Sequence, residues 1–159
     1  MSRTPYVAVV GPGDASAQEV HAAEEIGAGL AAAGAVVVTG GLGGVMEAAC
    51  RGARSRRGRT LGILPGEDRD AANGWVEIAV ATGLGELRNG LVVRSADAIV
   101  AVGGGHGTLS EVALALKLGR PVIGLGTWEV DGVEHVSTPE EALARVAAVL
   151  PVRRRTDDS

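Results

Sequence analysis

The residues that decide the fold are VAVGGGHGTLSE, at positions 100–111. The apolar run at the start of this stretch ends in four glycines within five positions, and Thr108 and Glu111 follow at the spacing of a capping box. The apolar run predicts a buried strand, and the capping box predicts that a helix begins near residue 107. A strand, a glycine turn and a helix in this order are typical of an α/β protein with a parallel sheet.

The same alternation recurs along the 159 residues of the chain. Short apolar runs are separated by glycine turns and by longer stretches of small residues with helical spacing. The predicted strands cover residues 6–11, 35–40, 60–65, 75–80, 97–103 and 121–126, and the predicted helices cover residues 16–33, 44–57, 85–95, 107–118 and 138–149. We therefore expect an α/β fold with a mostly parallel sheet of six or seven strands and helices on both faces.

Helix boundaries and domain organisation follow from local signals. Two more capping boxes, Ser16–Glu19 and Thr138–Glu141, mark helix starts, and Gly34 and Gly119 stand where helices end with glycine. The sequence shows no internal repeat and no linker. We expect a single domain over residues 1–150 and a flexible charged tail over residues 151–159.

The composition excludes several classes of function. The net charge is −4 and the pI is about 5.4, so neither nucleic acid nor a membrane surface is an expected partner. No apolar run is long enough to cross a bilayer, and the N-terminus lacks a signal-peptide pattern, so we expect a cytoplasmic protein. Cys50 is the only cysteine, and no histidine and carboxylate residues stand at ligand spacing, so we expect a buried inert thiol and no metal site.

Glycine-rich turns follow three of the predicted strands. In an open parallel sheet these turns meet at one edge, where ligands bind. Amide groups at a helix N-terminus hold phosphate well, and glycine allows the anion to come close. The sequence therefore predicts a phosphorylated small ligand. Its candidate phosphate-binding residues are Gly11, Gly13, Gly40, Gly41, Gly43, Gly44, Gly103, Gly104, Gly105, Gly107 and Thr108.

Several common phosphate-binding enzymes do not fit the sequence. The first glycine turn has Ser16 in the third place of the dinucleotide fingerprint, and the second predicted strand ends in Thr39 and Gly40 without an acidic residue for the ribose. Lys117 is the only lysine, and it is not part of a P-loop. Lys117 also lies well inside a predicted helix, away from the strand ends, which argues against a pyridoxal phosphate enzyme.

The paired motifs GGLGGVMEAA at 40–49 and GGGHGTLSE at 103–111, with ELRNGLVVRSADAIVAV at 86–102 before the second, resemble those of the LOG-type proteins. These proteins are often mislabelled lysine decarboxylases. The similarity is greatest to the short branch that includes molybdenum-cofactor carrier proteins. The resemblance covers residues 6–149 and implies a Rossmann-like three-layer αβα sandwich, usually in a homodimer or higher homo-oligomer.

The resemblance also implies roles for individual residues. It places the phosphate on the turn from Gly103 to Thr108, the acidic group at the ribose on Glu111 and the catalytic arginine on Arg88. Asn89 replaces the lysine that follows this arginine in the family. Without the resemblance, the sequence favours a capping role for Glu111, and Arg88 would be a surface helix residue.

Two functions remain open at this point. The first is a ligand-binding protein that carries a nucleotide or the molybdenum cofactor and needs no cofactor of its own. The second is an enzyme, a nucleoside 5′-monophosphate phosphoribohydrolase, in which Glu111 stabilises positive charge on the ribose and Arg88 holds the phosphate. Asn89 in place of lysine favours the first.

Four further residues and one helix face carry weaker predictions. We expect His106 to contact the ligand at most, Met46 to pack between helix and sheet, and either Trp75 or Trp128 to serve a subunit interface. On the helix predicted at 107–118, Ala115 and Leu118 would leave an apolar surface for a second subunit to cover.

Overall fold

A computed structural model describes residues 3–150, and the predicted tail at 151–159 lies outside the described residues. The strands are β1 (Tyr6–Val10), β2 (Val36–Thr39), β3 (Thr60–Leu64), β4 (Ile78–Ala81), β5 (Ala98–Val102), β6 (Val122–Leu125) and β7 (Glu134–Val136). The helices are α1 (Ala17–Ala32), α2 (Val45–Ser55), α3 (Asn89–Arg94), α4 (His106–Lys117) and α5 (Pro139–Val149). Short 3₁₀ turns cover Arg69–Ala71 and Gly85–Arg88.

The strands form one parallel sheet in the order β4-β3-β2-β1-β5-β6-β7. The central strand β1 pairs with β2 on one side, where Val7 lies beside Val37, and with β5 on the other, where Val9 lies beside Val100. The order of the strands reverses between β1 and β5. In open α/β sheets the crevice outside the carboxyl ends of two such strands is the usual ligand position.

Helices cover both faces of the sheet, which makes the three layers expected of a Rossmann-like sandwich. One core cluster joins the sheet to α1, α2 and α5 through residues such as Ile26, Ala49 and Val146. The other joins it to α3 and α4 through residues such as Val92 and Val112. The predicted α/β class, with seven parallel strands, is confirmed.

Two glycines allow α1 and α2 to pack backbone against backbone. A Cβ on Gly27 of α1 would lie 2.8 Å from the carbonyl carbon of Ala49 in α2. A Cβ on Gly52 of α2 would lie 2.8 Å from the carbonyl carbon of Glu24 in α1. Gly27 and Gly52 are therefore required because the backbones of the two helices lie so close together.

The capping box predicted at Thr108 and Glu111 is wrong, although α4 begins within one residue of the predicted start. Helix α4 begins at His106, its N-cap is Gly105, and no side chain caps it. Thr108 is therefore already in the first turn, and Glu111 lies beyond it. The boxes at Ser16 and Thr138 do supply caps, since each hydroxyl oxygen accepts the amide of the glutamate three residues later at 3.1 Å.

Two other boundaries moved for physical reasons. The strand predicted at 75–80 is β4 at 78–81, since Thr60 Oγ1 and Asn73 hold the backbone of Trp75 in a turn. The helix predicted at 85–95 is divided into a 3₁₀ turn and α3. In that turn the Arg88 side chain is buried and reaches back to the Ile63 carbonyl of β3.

We expect Gly27→Ala to destabilise the fold by roughly 1–3 kcal/mol, although alanine is the better helix former, because the new methyl group meets the backbone of α2. Gly90→Ala in α3 is the matched control. Its Cβ would be 3.4 Å from Leu114 Cδ2, an ordinary contact, so it should be neutral or stabilising by up to about 1 kcal/mol. Urea unfolding of both variants measures the difference, and equal stability would contradict the packing argument.

Candidate functional site

A cavity of about 620 Å³ opens at the carboxyl ends of β1 and β5, where the strand order reverses. Three segments supply most of its wall: the turn after β1, the 3₁₀ turn before α3, and the first turns of α4. Its lining residues are Val9, Val10, Gly11, Pro12, Gly13, Gly40, Met46, Glu86, Leu87, Arg88, Asn89, Gly105, His106, Gly107, Thr108, Ser110 and Glu111. The two residues predicted to be catalytic, Arg88 and Glu111, are thus in the same cavity as the start of α4.

The first turn of α4 presents polar groups to this cavity. The amides of His106, Gly107 and Thr108 precede the first hydrogen bond of the helix, which Leu109 donates to the Gly105 carbonyl at 3.0 Å. Thr108 is only 2% exposed, and its Oγ1 has no hydrogen-bond partner within residues 3–150. A buried polar atom without a partner is unfavourable, so this turn is suited to an acceptor from outside the chain.

Trp128 braces the same turn from the loop after β6. Its indole Nε1 donates to the Gly105 carbonyl at 3.0 Å, and its ring stacks on His106 with centroids 6.0 Å apart. Sequence reasoning assigned Trp128 to a subunit interface and missed this contact. The available signal was its position just after a strand end, at the same edge of the sheet as the glycine turns.

The predicted phosphate-binding residues divide into two sets. Gly11, Gly13, Gly40, Gly105, Gly107 and Thr108 line the cavity, whereas Gly41, Gly43, Gly44, Gly103 and Gly104 do not. Several of the second set have a conformational or packing role. Gly44 has a φ of +63°, and a Cβ there would be 2.5 Å from the Gly13 carbonyl oxygen. Gly103, with a φ of +72°, faces the Glu19 carboxylate on the other side of the turn.

Arg88 is buried and held by three acceptors, so it is not the surface residue that its sequence context alone indicates. Its Nε donates to Ile63 O at 2.9 Å and its Nη2 to Gly40 O at 3.4 Å, while Nη1 donates to Asn89 Oδ1. A Cβ on Gly40 would be 2.6 Å from Nη2, so glycine is required for this position of the guanidinium. A guanidinium has five N–H groups, so two remain for a ligand.

Glu111 lies in the same wall, 8% exposed. Burial raises the pKa of its carboxyl from an ordinary value of 4.5 to about 7, and the nearby Arg88 charge opposes this only in part. Burial also lowers the pKa of Arg88, against the raising effect of Glu111 and Glu86. At neutral pH the Glu111 carboxyl is therefore protonated in a large fraction of molecules, and it can donate as well as accept a hydrogen bond.

Met46 and Leu87 give this cavity an apolar wall. Met46 was expected to pack between helix and sheet, and its side chain instead reaches the cavity beside Arg88. Leu87 is 79% exposed at the rim. No sequence pattern indicates that Met46 or Leu87 lines the cavity, because the position of each side chain depends on how the neighbouring turns fold.

Two classes of site are not found within residues 3–150. No group of three or more histidine, cysteine, aspartate or glutamate side chains there could hold a metal ion. In the same part of the chain, no helix combines the length and apolar character that a membrane span needs. Cys50 is buried, and burial raises the pKa of its thiol, in keeping with the inert thiol expected from the sequence.

The sheet order and the cavity at its switch point define a Rossmann-like α/β protein with a candidate ligand site at the carboxyl edge. The family model described as the SLOG cluster4 family matches residues 4–151. The chain belongs to this family, and the resemblance to LOG-type proteins is confirmed.

Similar proteins include a molybdenum cofactor binding protein from the phototrophic bacterium Rippkaea orientalis, with 38% identity and a TM-score of 0.89 over 94% of this chain and 99% of the other. The molybdenum cofactor carrier protein of Chlamydomonas reinhardtii has 36% identity and a TM-score of 0.85 over 92% and 98%. An uncharacterised protein of Archaeoglobus fulgidus is 42% identical over 138 residues, which are 86% of this chain and 91% of that protein.

We expect Glu111→Gln to remove a pH dependence of stability. The folded-state pKa of about 7 is above the ordinary value of 4.5, so the folded protein holds this proton more tightly and becomes less stable as the pH rises between these values. The loss above pH 7 is at most roughly 3 kcal/mol. Thermal unfolding between about pH 5 and pH 8 should show a smaller decline for Glu111→Gln than for wild type or the exposed control Glu129→Gln. Parallel curves for all three proteins would contradict the burial effect.

Proposed function

We propose that this protein binds a small organic molecule with one phosphate group, and that its ligand is a phosphorylated pterin of the molybdenum-cofactor type. The observation that carries the proposal is Thr108 Oγ1. Thr108 lines the cavity, and its Oγ1 is buried without a partner within residues 3–150, in the same helical turn as the free amides of His106 and Gly107. A phosphate on this turn accepts from the amides and from the hydroxyl group, and it is stabilised by the helix dipole.

The charges around the cavity support a single phosphate group. Arg88 is the one arginine or lysine in its lining within residues 3–150, and Glu86 and Glu111 are its carboxylates. A di- or triphosphate brings more negative charge than one guanidinium can balance. Protonation of Glu111 reduces the repulsion of a phosphate monoester at neutral pH.

The shape and the apolar part of the wall support a ring next to the phosphate. A cavity of about 620 Å³ is within the usual range for small-molecule sites. Met46 and Leu87 offer apolar surface, and Asn89 and Ser110 offer polar groups beside it. The two named molybdenum-cofactor proteins cover nearly the whole chain, which supports a pterin over other rings.

The alternative function is hydrolysis of nucleoside 5′-monophosphates, and the placement of Arg88 and Glu111 in one cavity favours it. A carboxylate that stabilises an oxocarbenium-like ribose must be ionised when the phosphate is bound. The pKa of about 7 works against this requirement, because burial favours the protonated carboxyl. Asn89 also supplies no second cation. Binding without turnover is therefore our first proposal.

We expect phosphate-bearing ligands to stabilise the protein against thermal unfolding without being consumed. The panel is AMP, CMP, GMP, isopentenyladenosine monophosphate and a phosphorylated pterin, with an assay for free base alongside. Base release that Glu111→Ala abolishes would replace the carrier proposal by the hydrolase. Absence of binding to every compound would overturn both.

Two substitutions locate the binding in the same experiment. Gly105→Val has room, since the nearest atom to the new Cβ is Pro12 Cβ at 3.8 Å, but its side chain enters the phosphate position. Thr108→Val replaces the hydroxyl with a methyl group of similar size and should weaken binding about tenfold. Gly74→Val is the control, because nothing lies within 4 Å of its Cβ and it is not in the cavity. Unchanged affinity in both site variants would place the ligand elsewhere.

We also propose that copies of this chain associate through an apolar surface beside the cavity. Ala115 was expected on an exposed apolar face of α4, but it is fully buried within the subunit. Among the exposed apolar residues, three form a leucine stripe, Leu84, Leu87 and Leu91, at the spacing of one helical face before and within α3. Leu87 also lines the cavity, so a partner that covers it would close the rim of the site.

We expect Leu87→Glu to shift a homo-oligomer toward monomer, because it places a charge in the middle of the leucine stripe. Val149→Glu on α5 is the control, since Val149 is also exposed and lies outside the stripe. Light scattering after size exclusion measures the mass of each protein. A monomeric wild type, or an unchanged mass for Leu87→Glu, would rule out this surface.

A further inference from the structure

We propose that Asn89 is a positioning residue that connects the Arg88 guanidinium to the first turn of α4 and so fixes the two sides of the phosphate site relative to each other. The effect of Asn89 on ligand affinity rests on the proposed function, whereas the hydrogen bonds of Asn89 exist without a ligand. It gives Asn89 a role different from that of the family lysine it replaces.

The connection is a chain of three hydrogen bonds. Arg88 Nη1 donates to Asn89 Oδ1, and Asn89 Nδ2 donates to Ser110 Oγ at 3.3 Å. Ser110 Oγ donates in turn to the Gly107 carbonyl at 2.7 Å. Gly107 is one of the residues whose amide faces the proposed phosphate, so the chain runs from the buried cation to the anion-binding turn.

The direction of each bond in the chain follows from chemistry. A guanidinium only donates, so the carbonyl end of the Asn89 amide must face Arg88, and the amino end must face Ser110. A hydroxyl group accepts one bond and donates another, which matches the position of Ser110. In each of the three hydrogen bonds, a donor therefore faces an acceptor.

A lysine at position 89 could not take this place. Its ammonium has three donors and no acceptor, so it could not accept from Arg88, and its charge would repel the guanidinium. Asparagine instead removes a charge from the site and restricts the one that remains. With Ile63 O on Nε and Gly40 O on Nη2, all three guanidinium nitrogens then have a fixed partner.

The chain joins elements that are far apart in the sequence. Arg88 ends the 3₁₀ turn after β4, while Ser110 and Gly107 belong to α4 after β5. Binding is strongest when the groups that hold a ligand are already in position, because no ordering is then needed. Asn89 therefore acts on affinity through Arg88 and α4, without a required contact of its own to the phosphate.

The first test needs no ligand. The side-chain Nε–H and Nη–H signals of Arg88 in nitrogen-15 NMR report whether the guanidinium is held. Asn89→Ala should speed hydrogen exchange and rotation at Nη1 by about tenfold or more, whereas Asn89→Asp, which keeps the acceptor, should preserve the slow exchange. Equal Arg88 spectra in wild type and Asn89→Ala would overturn the proposal. If Asn89→Ala does not fold, fast exchange at Arg88 Nη1 in Asn89→Asp, which keeps the acceptor, would overturn it as well.

The second test measures AMP and inorganic phosphate binding by calorimetry. Asn89→Ala should weaken binding about tenfold, and the double variant Asn89→Ala/Ser110→Ala should be no more than about twofold weaker than Asn89→Ala, because both residues act in one chain. Ser95→Ala is the control, since Ser95 Oγ donates to the Leu91 carbonyl on α3 outside the cavity. Additive losses, or wild-type affinity in Asn89→Ala, would contradict a connected chain. If wild type itself binds neither probe, the phosphate proposal fails, and the NMR result still decides the role of Asn89.

Discussion

The free amides at the start of α4 are the constraint on which the rest of the site depends. They have no intrahelical acceptor, and no side chain within residues 3–150 caps the helix. Gly105 is the N-cap and has no side chain. Its carbonyl accepts hydrogen bonds from the Trp128 indole and from the Leu109 amide. The Gly105 carbonyl is thus already occupied, whereas the amides of His106, Gly107 and Thr108 precede the first helical hydrogen bond and are available to an anion. A capping side chain would stabilise the helix, but it would also occupy the amides that are free to bind an anion.

The glycines around the site have two separate functions that the sequence does not distinguish. Gly105 and Gly107 have room for a side chain in the protein, so their small size matters for the space in the cavity. Gly44 and Gly103 have positive φ angles and lie against a neighbouring carbonyl and a carboxylate, so their small size matters for the fold. Both kinds occur in the motif at 103–111 because a turn that approaches a ligand must also approach its neighbouring strands.

The sequence predicts the fold well and the site only in part. Valine runs in β1, β2 and β5 are buried on both faces, and such runs identify strands of a parallel sheet directly. The Thr108–Glu111 capping box was wrong because the spacing of these residues is the same whether Thr108 caps the helix or lies inside its first turn. Gly105 is the actual N-cap, so Thr108 lies inside the turn. The buried state of Arg88 depends on Ile63 and Gly40, which are distant in sequence, so no local pattern could predict it. The chain of Asn89 and Ser110 is a tertiary feature for the same reason.

The proposed phosphate site would couple anion binding to protonation of Glu111. Glu111 and Arg88 lie in one wall, and burial already favours the protonated carboxyl. In the proposed complex, a phosphate near α4 would add negative charge beside Glu111 and raise its pKa further, so the protein would take up a proton as the anion binds. The protonated carboxyl can then donate a hydrogen bond to the ligand. For hydrolysis this coupling has the wrong sign, since it removes the carboxylate at the moment when a developing positive charge on the ribose would need it. The electrostatics of the buried wall thus favour holding a phosphorylated molecule over cleaving it.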